Sequence, residues 1–175
     1  MVTPSVDKLV EIFENPRVPP TDGKPTYSML HIMYKLINSN VLSFNTNLGC
    51  SILGHLCLIL SPTFYATLST TRVVPPTNTR ATPVIPAGTN RPEAASICYT
   101  HDVAMLVFNT FSNVDRALRQ KLLGAVEDTF VKVKHKRHRG YSGSRTLDLL
   151  TRLYKTYAVI SNSNWIANNK RFCKA

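Results

Sequence analysis

Between residues 114 and 130 an apolar side chain returns at every fourth position: Val114, Leu118, Leu122, Val126 and Phe130. Ala117, Ala125, Thr129 and Val133 stand one place to the side, at spacings of three. Spacings of three and four together follow the 3.6-residue turn of a helix and not the period of two of a strand. Val114 to Val133 therefore predicts a helix, and its apolar stripe must be covered by other parts of the chain. The chain has the means to do so. It is 175 residues long with 43% hydrophobic and 18% charged side chains, enough for a core without staples and too apolar for wholesale disorder.

The remaining segments supply helical partners. Val6 to Phe13 is a short amphipathic piece, ended by Asn15-Pro16 and followed by a loop with Pro19, Pro20 and Gly23. Residues 1–24 read as an N-terminal arm. Tyr27 to Val41 reads as a helix opened by Pro25, with Met29, Ile32, Met33, Leu36 and Ile37 as its stripe and Asn38, Ser39 and Asn40 at its end. Residues 36–71 contain no Lys, Arg, Asp or Glu. Leu48 to Leu60 within them is apolar all round, which marks a buried element of either kind and is too short to span a bilayer. Ser61-Pro62 has the chemistry of an N-cap and first helical position, and a short helix to about Leu68 follows.

Val73 to Pro92 holds Pro75, Pro76, Pro83, Pro86, Pro92 and Gly88, so it cannot keep a regular ladder of backbone hydrogen bonds. It predicts an extended loop, with Val84 and Ile85 touching the body. Glu93 to Phe111 is helical by period: Ile97, His101, Ala104, Met105, Phe108 and Phe111 share a face, and Ser112-Asn113 marks a break before the next helix. After Gly140 and Gly143, Ser144 or Thr146 caps a last helix with Leu147, Leu150, Leu153, Tyr154 and Tyr157 as its stripe. Residues 161–175 form a polar tail. The fold expected is all-α: a multi-helix domain over residues 25–160 with a Pro-rich loop, 73–92, in its middle.

Catalytic motifs are missing. No phosphate-binding Gly loop, G-x-S-x-G or H-E-x-x-H occurs. Cys50, Cys57, Cys98 and Cys173 have no zinc-ligand spacing, which leaves buried or free thiols as their role and predicts no metal or cofactor. Glu127 and Asp128 are neighbours, which on a helix point apart and cannot share acid–base work. His55 is the lone polar group in its apolar run and reads as a core histidine held by hydrogen bonds. Cys57, two residues away, sits in apolar surroundings that raise a thiol's pKa. No basic n-region with an apolar run follows Met1, so no signal peptide is expected and the chain is assigned to the cytoplasm. No small-molecule substrate and no membrane partner are expected.

Charge is the feature that points to a partner. The net charge is +11, yet residues 129–175 carry eleven of the 21 Lys and Arg against a single acid, Asp148. The densest part is Lys132, Lys134, Lys136, Arg137 and Arg139, with His135 and His138 between them. So many like charges repel one another unless anions lie between them. Phosphate contact needs charge and reach but little geometry, so a nucleic acid fits this run; a solvated surface loop is the other reading. Tyr141, Tyr154 and Tyr157 could add base stacking, although the spacing of the last two suits a core.

Several segments together resemble the capsid-like N-terminal part of the Gag polyprotein of copia-type LTR retrotransposons. They are Pro25-Thr26-Tyr27, Thr46-Asn47-Leu48-Gly49, Gly54-His55-Leu56, Ser61-Pro62 with Tyr65, Val74-Pro75-Pro76, and Pro83 to Gly88. Asn113 to Leu118 with Gln120, Leu122 and Ala125-Val126 resembles that family's most recognisable helix. Gly140-Tyr141, Leu147 to Leu150 and Leu153 to Tyr157 resemble the next one. The similarity runs from about residue 24 to residue 170. Cys50-Ser51-Ile52 departs from it, standing where the family tends to be Gly-rich, and no zinc knuckle is present. The resemblance implies a helical, non-enzymatic shell protein that self-assembles and packages the element's RNA, here through the basic run. The alternative is a stand-alone nucleic-acid-binding module derived from such an element.

Overall fold

The structure, a computed structural model, describes residues 3–15, 17–21, 23–44, 46, 48, 53–79, 82–132, 138 and 140–158. Among them the fold is all-helical. The order is α1 (Val6–Ile12), α2 (Tyr27–Leu42), a 3-10 turn (Gly54–Leu58), α3 (Pro62–Leu68), α4 (Arg91–Ala125), α5 (Asp128–Val131) and α6 (Thr146–Tyr157).

Four helices begin on the residue types that do this best. The hydroxyls of Ser5, Thr26 and Ser61 and the amide oxygen of Asn90 accept from the backbone N–H three residues on, at Lys8, Met29, Phe64 and Glu93. Each such bond satisfies one of the N–H groups a helix start leaves open. Ser61-Pro62 acts as its chemistry predicts. The start of α2 is Thr26, next to the Pro25 that marked it in the sequence.

The carboxyl half of α4 is the axis of the core. Val114, Ala117, Leu118, Leu122 and Ala125 are buried on it, and α1, α2 and α6 pack around it. Leu122 is fully buried, so Leu122→Ala leaves a cavity as well as losing transfer energy, at a cost of about 2–5 kcal/mol. A shift of the urea midpoint without a change in slope will measure it.

The sequence placed a break at Ser112-Asn113, but α4 runs through it as one helix of 35 residues. Ser and Asn are only mildly unfavourable inside a helix, and the Asn113 amide donates to the Pro4 carbonyl at 3.0 Å, which ties the start of the chain to α4. The break comes at Val126, whose backbone is extended, after Gly124 in the last turn. There the Thr21 N–H donates to the Ala125 carbonyl at 2.7 Å and closes the helix end. Phe130 thus belongs to the separate α5 and is only half-buried.

Other stripes are rotated from their expected positions. In α2 the buried set is Leu30, Met33, Ile37, Asn40 and Val41, while Ile32 is exposed. Asn40 stands in the last turn of the helix, as expected. It is buried, accepts from the Asn15 N–H at 2.7 Å and donates to the Asn15 carbonyl at 3.0 Å, clamping the chain that leaves α1. In α6 the buried set includes Leu149 and Thr146 and leaves Leu147 half-covered. Neither Ser144 nor Thr146 caps α6. Arg145 holds the cap position, and its N–H donates to the Asp148 carboxylate at 3.1 Å. The piece expected as an arm supplies Leu9 and Phe13 to the core, both buried against the body.

The Pro-rich segment has no regular structure across 72–79 and 82–86. It lies along the amino half of α4, where one His101 ring nitrogen (Nε2) is 2.9 Å from the Thr79 carbonyl and Pro83 faces Ile97 and Ala104. Of the two side chains expected to touch the body, Val84 is 87% exposed and stands out from it, while Ile85 is 45% exposed and partly covered. The docking of Thr79 and Pro83 holds this stiff segment against α4 and leaves Val84 in solvent.

Candidate nucleic-acid interface

The basic run lies between two anchored flanks. On the amino side, α5 packs on α6 through an edge-to-face pair of Phe130 and Tyr157, with ring centroids 5.5 Å apart. Glu127 and Asp128 start this helix, where negative charge complements the N-terminal dipole. They act separately: Asp128 accepts from the Tyr141 hydroxyl, and Glu127 has only a 3.5 Å approach from the Thr129 hydroxyl. On the carboxyl side, Gly140 turns the chain with φ of 52°, a region that favours glycine.

The Tyr141–Asp128 hydrogen bond joins the two flanks across residues 129–140. Burial and the adjoining carboxylate push the Tyr141 hydroxyl up to about 12, so it stays a donor at any ordinary pH. Below it a second lock holds the entry to α6. Asp115 pairs with Arg119 at 3.1 Å on α4 and accepts from the Thr146 N–H at 3.0 Å, while Arg119 donates to the Ser144 carbonyl. The Thr146 hydroxyl donates to the Asp115 carbonyl at 3.1 Å, which spends on α4 the group expected to cap α6.

Of the five predicted contact residues, Lys132 is described and exposed, at the end of α5. Lys134, Lys136, Arg137 and Arg139 lie outside the described residues. His138 is exposed. Tyr154 and Tyr157 are half-buried and serve packing: Tyr154 donates to the Leu30 carbonyl at 3.1 Å and meets Tyr27 and Tyr34 edge-on. The Asp115–Arg119 pair has a signature in the sequence, the i, i+4 spacing of opposite charges on a helix. The Tyr141–Asp128 contact had no local signature.

His55 and Cys57 sit elsewhere and are held for packing. His55 is buried between Phe44 and Phe111, and its Nδ1 is 3.3 Å from the Phe44 carbonyl. A Cβ at Gly54 would run into the Leu48 carbonyl and the Thr46 methyl, which explains glycine before this histidine. Burial pushes the Cys57 thiol up to about 11, far from a nucleophile's range. Cys57 and Cys98 are free thiols; Cys50 and Cys173 lie outside the described residues. No group of three metal-ligating side chains occurs among the described residues, and no helix there is long and apolar enough to cross a membrane.

Burial lowers the His55 pKa below its usual 6.5, with the Phe44 carbonyl opposing the shift. The unfolded chain then takes up a proton that the folded chain resists. This stability is intact above about pH 7 and is lost as pH falls through 6.5 toward the lowered value. His55→Gln will flatten the fall in urea midpoint between about pH 7.5 and 5, a window set by the ordinary histidine value.

No family model, no curated protein and no solved structure matches this chain.

Proposed function

We propose that the chain is a Gag-like structural protein that self-associates and binds RNA through Lys132 to Arg139, with no catalytic role. The observation that carries this reading is the segregation of charge: nearly all the net charge lies beyond residue 128, densest in one run whose two flanks are joined by Tyr141 and Asp128. Fixing the flanks limits the entropy lost when the run meets a polyanion.

Self-association is supported by the amino half of α4. One side of it meets the Pro-rich segment, but Tyr99, Val103 and Leu106 form a second stripe at spacings of four and three. Tyr99 is 66% exposed and Val103 is exposed as well. A large apolar stripe on a helix marks an interaction surface.

The test is light scattering and electron microscopy of the purified protein with and without single-stranded RNA. Concentration-dependent particles that take up RNA are expected. Val103→Glu with Leu106→Glu will abolish the particles and leave RNA binding within about twofold, since phosphate contact is carried elsewhere. RNA binding by a protein that stays monomeric at all concentrations would replace the shell reading with the stand-alone module.

A further inference from the structure

A second concave site lies away from the basic run. The 3-10 turn and α3 form one side, residues 69–75 cross over it, and the first turn of α6 closes it. Its volume is about 590 Å³, well inside the range of roughly 300–1,000 Å³ of small-molecule pockets. The walls are largely apolar, from Leu60, Pro62, Val73 and Leu147.

Its polar lining is the hydroxyl residues Tyr65, Ser69, Thr70 and Thr71, the Cys57 thiol and two side chains of one charge. Arg72 and Arg145 both line the cavity and no Asp or Glu does. Arg145 has an exposed partner in Asp148, with Nε 3.7 Å from the carboxylate, and its charge is still felt at the Cys57 thiol in the pocket. Arg72 has no ion-pair partner among the described residues. Tyr65 also lines the site. It is only 4% exposed, and its hydroxyl has no hydrogen-bond partner among the described residues.

A bare inorganic anion would leave most of the volume and all of the apolar wall unused. A neutral apolar molecule would leave the Arg72 guanidinium without a counter-charge and the Arg145 charge half-used. From this combination we infer that the pocket binds a small amphipathic carboxylate, its apolar body against Leu60, Val73 and Leu147 and its carboxylate between Arg72 and Arg145. The planar guanidinium suits a carboxylate because it donates two parallel hydrogen bonds. The occupant is a ligand and not a substrate: burial keeps the Cys57 thiol protonated, and no other nucleophile–base pair lines the site.

Isothermal titration calorimetry with decanoate, decanol and decyltrimethylammonium tests the inference. Decanoate should bind saturably with one site per chain, and decanol at least about tenfold more weakly, the loss of a charge-assisted hydrogen bond. The ammonium compound should not compete. Arg72→Gln with Arg145→Gln should bring decanoate down to the affinity of decanol while leaving decanol unchanged. Ala66→Trp, which fills the cavity from α3, should abolish both. Arg72, Arg145 and Ala66 are exposed at the pocket rim, so the variants should keep the thermal midpoint and circular dichroism of the parent. Decanoate binding that is equally tight in the double glutamine variant or in Ala66→Trp overturns the assignment, as does the absence of saturable binding in the parent protein.

Discussion

Asp115→Ala is expected to lower stability by about 3 kcal/mol, at the low end for breaking a buried ion pair because both partners keep a little solvent contact. The Asp115 and Arg119 side chains are 13% and 11% exposed. Removing the carboxylate leaves a guanidinium in the body without its counter-charge and takes the acceptor from the Thr146 N–H at the start of α6. At a few degrees per kcal/mol for a chain of this size, the thermal midpoint should fall by about 6–12 °C. Asp115→Asn keeps an acceptor for Thr146 and should lose roughly half as much, since it leaves only the charge uncompensated. Differential scanning calorimetry of both variants measures this. A fall of less than about 1 kcal/mol in the alanine variant would place the pair among ordinary surface ion pairs.

The largest functional effect is expected from Lys132, Lys134, Lys136, Arg137 and Arg139 changed together to Gln. Each phosphate contact on a single strand contributes roughly −0.7 to the slope of log affinity against log salt, so five lost contacts should flatten the slope by about 3.5. Unrelated RNA sequences should weaken equally, because contacts to phosphate do not read bases. The fold should survive: Lys132 is exposed, and among the described residues the core is built from other segments. Fluorescence anisotropy across a salt titration gives both affinity and slope. An unchanged slope would reduce the run to a solvated surface.

Local signals located the helices better than they located the joints between them. Ser61-Pro62 and the apolar return from Val114 to Leu122 were readable because capping chemistry and helical period act over a few residues. The continuity of α4 through Ser112-Asn113 depends on what Asn113 meets, and its partner Pro4 is distant in sequence. The same holds for Asn40, which stands in the last turn of α2 as expected but also pins Asn15. The basic run was visible as charge alone. The Tyr141–Asp128 bond beside it, and the pocket between α3 and α6, arise from tertiary placement and had no pattern to betray them.

The length of α4 has a consequence for how the molecule comes apart. At 1.5 Å per residue the helix is about 50 Å long, and only its second half is enclosed by other helices. Amide protons between residues 114 and 125 will exchange with solvent only when the whole domain opens, whereas those near residues 91–105 will exchange through local fraying. The boundary between cooperative and independent unfolding therefore falls inside one continuous helix. The amino half can melt and re-form while the rest of the protein stays folded.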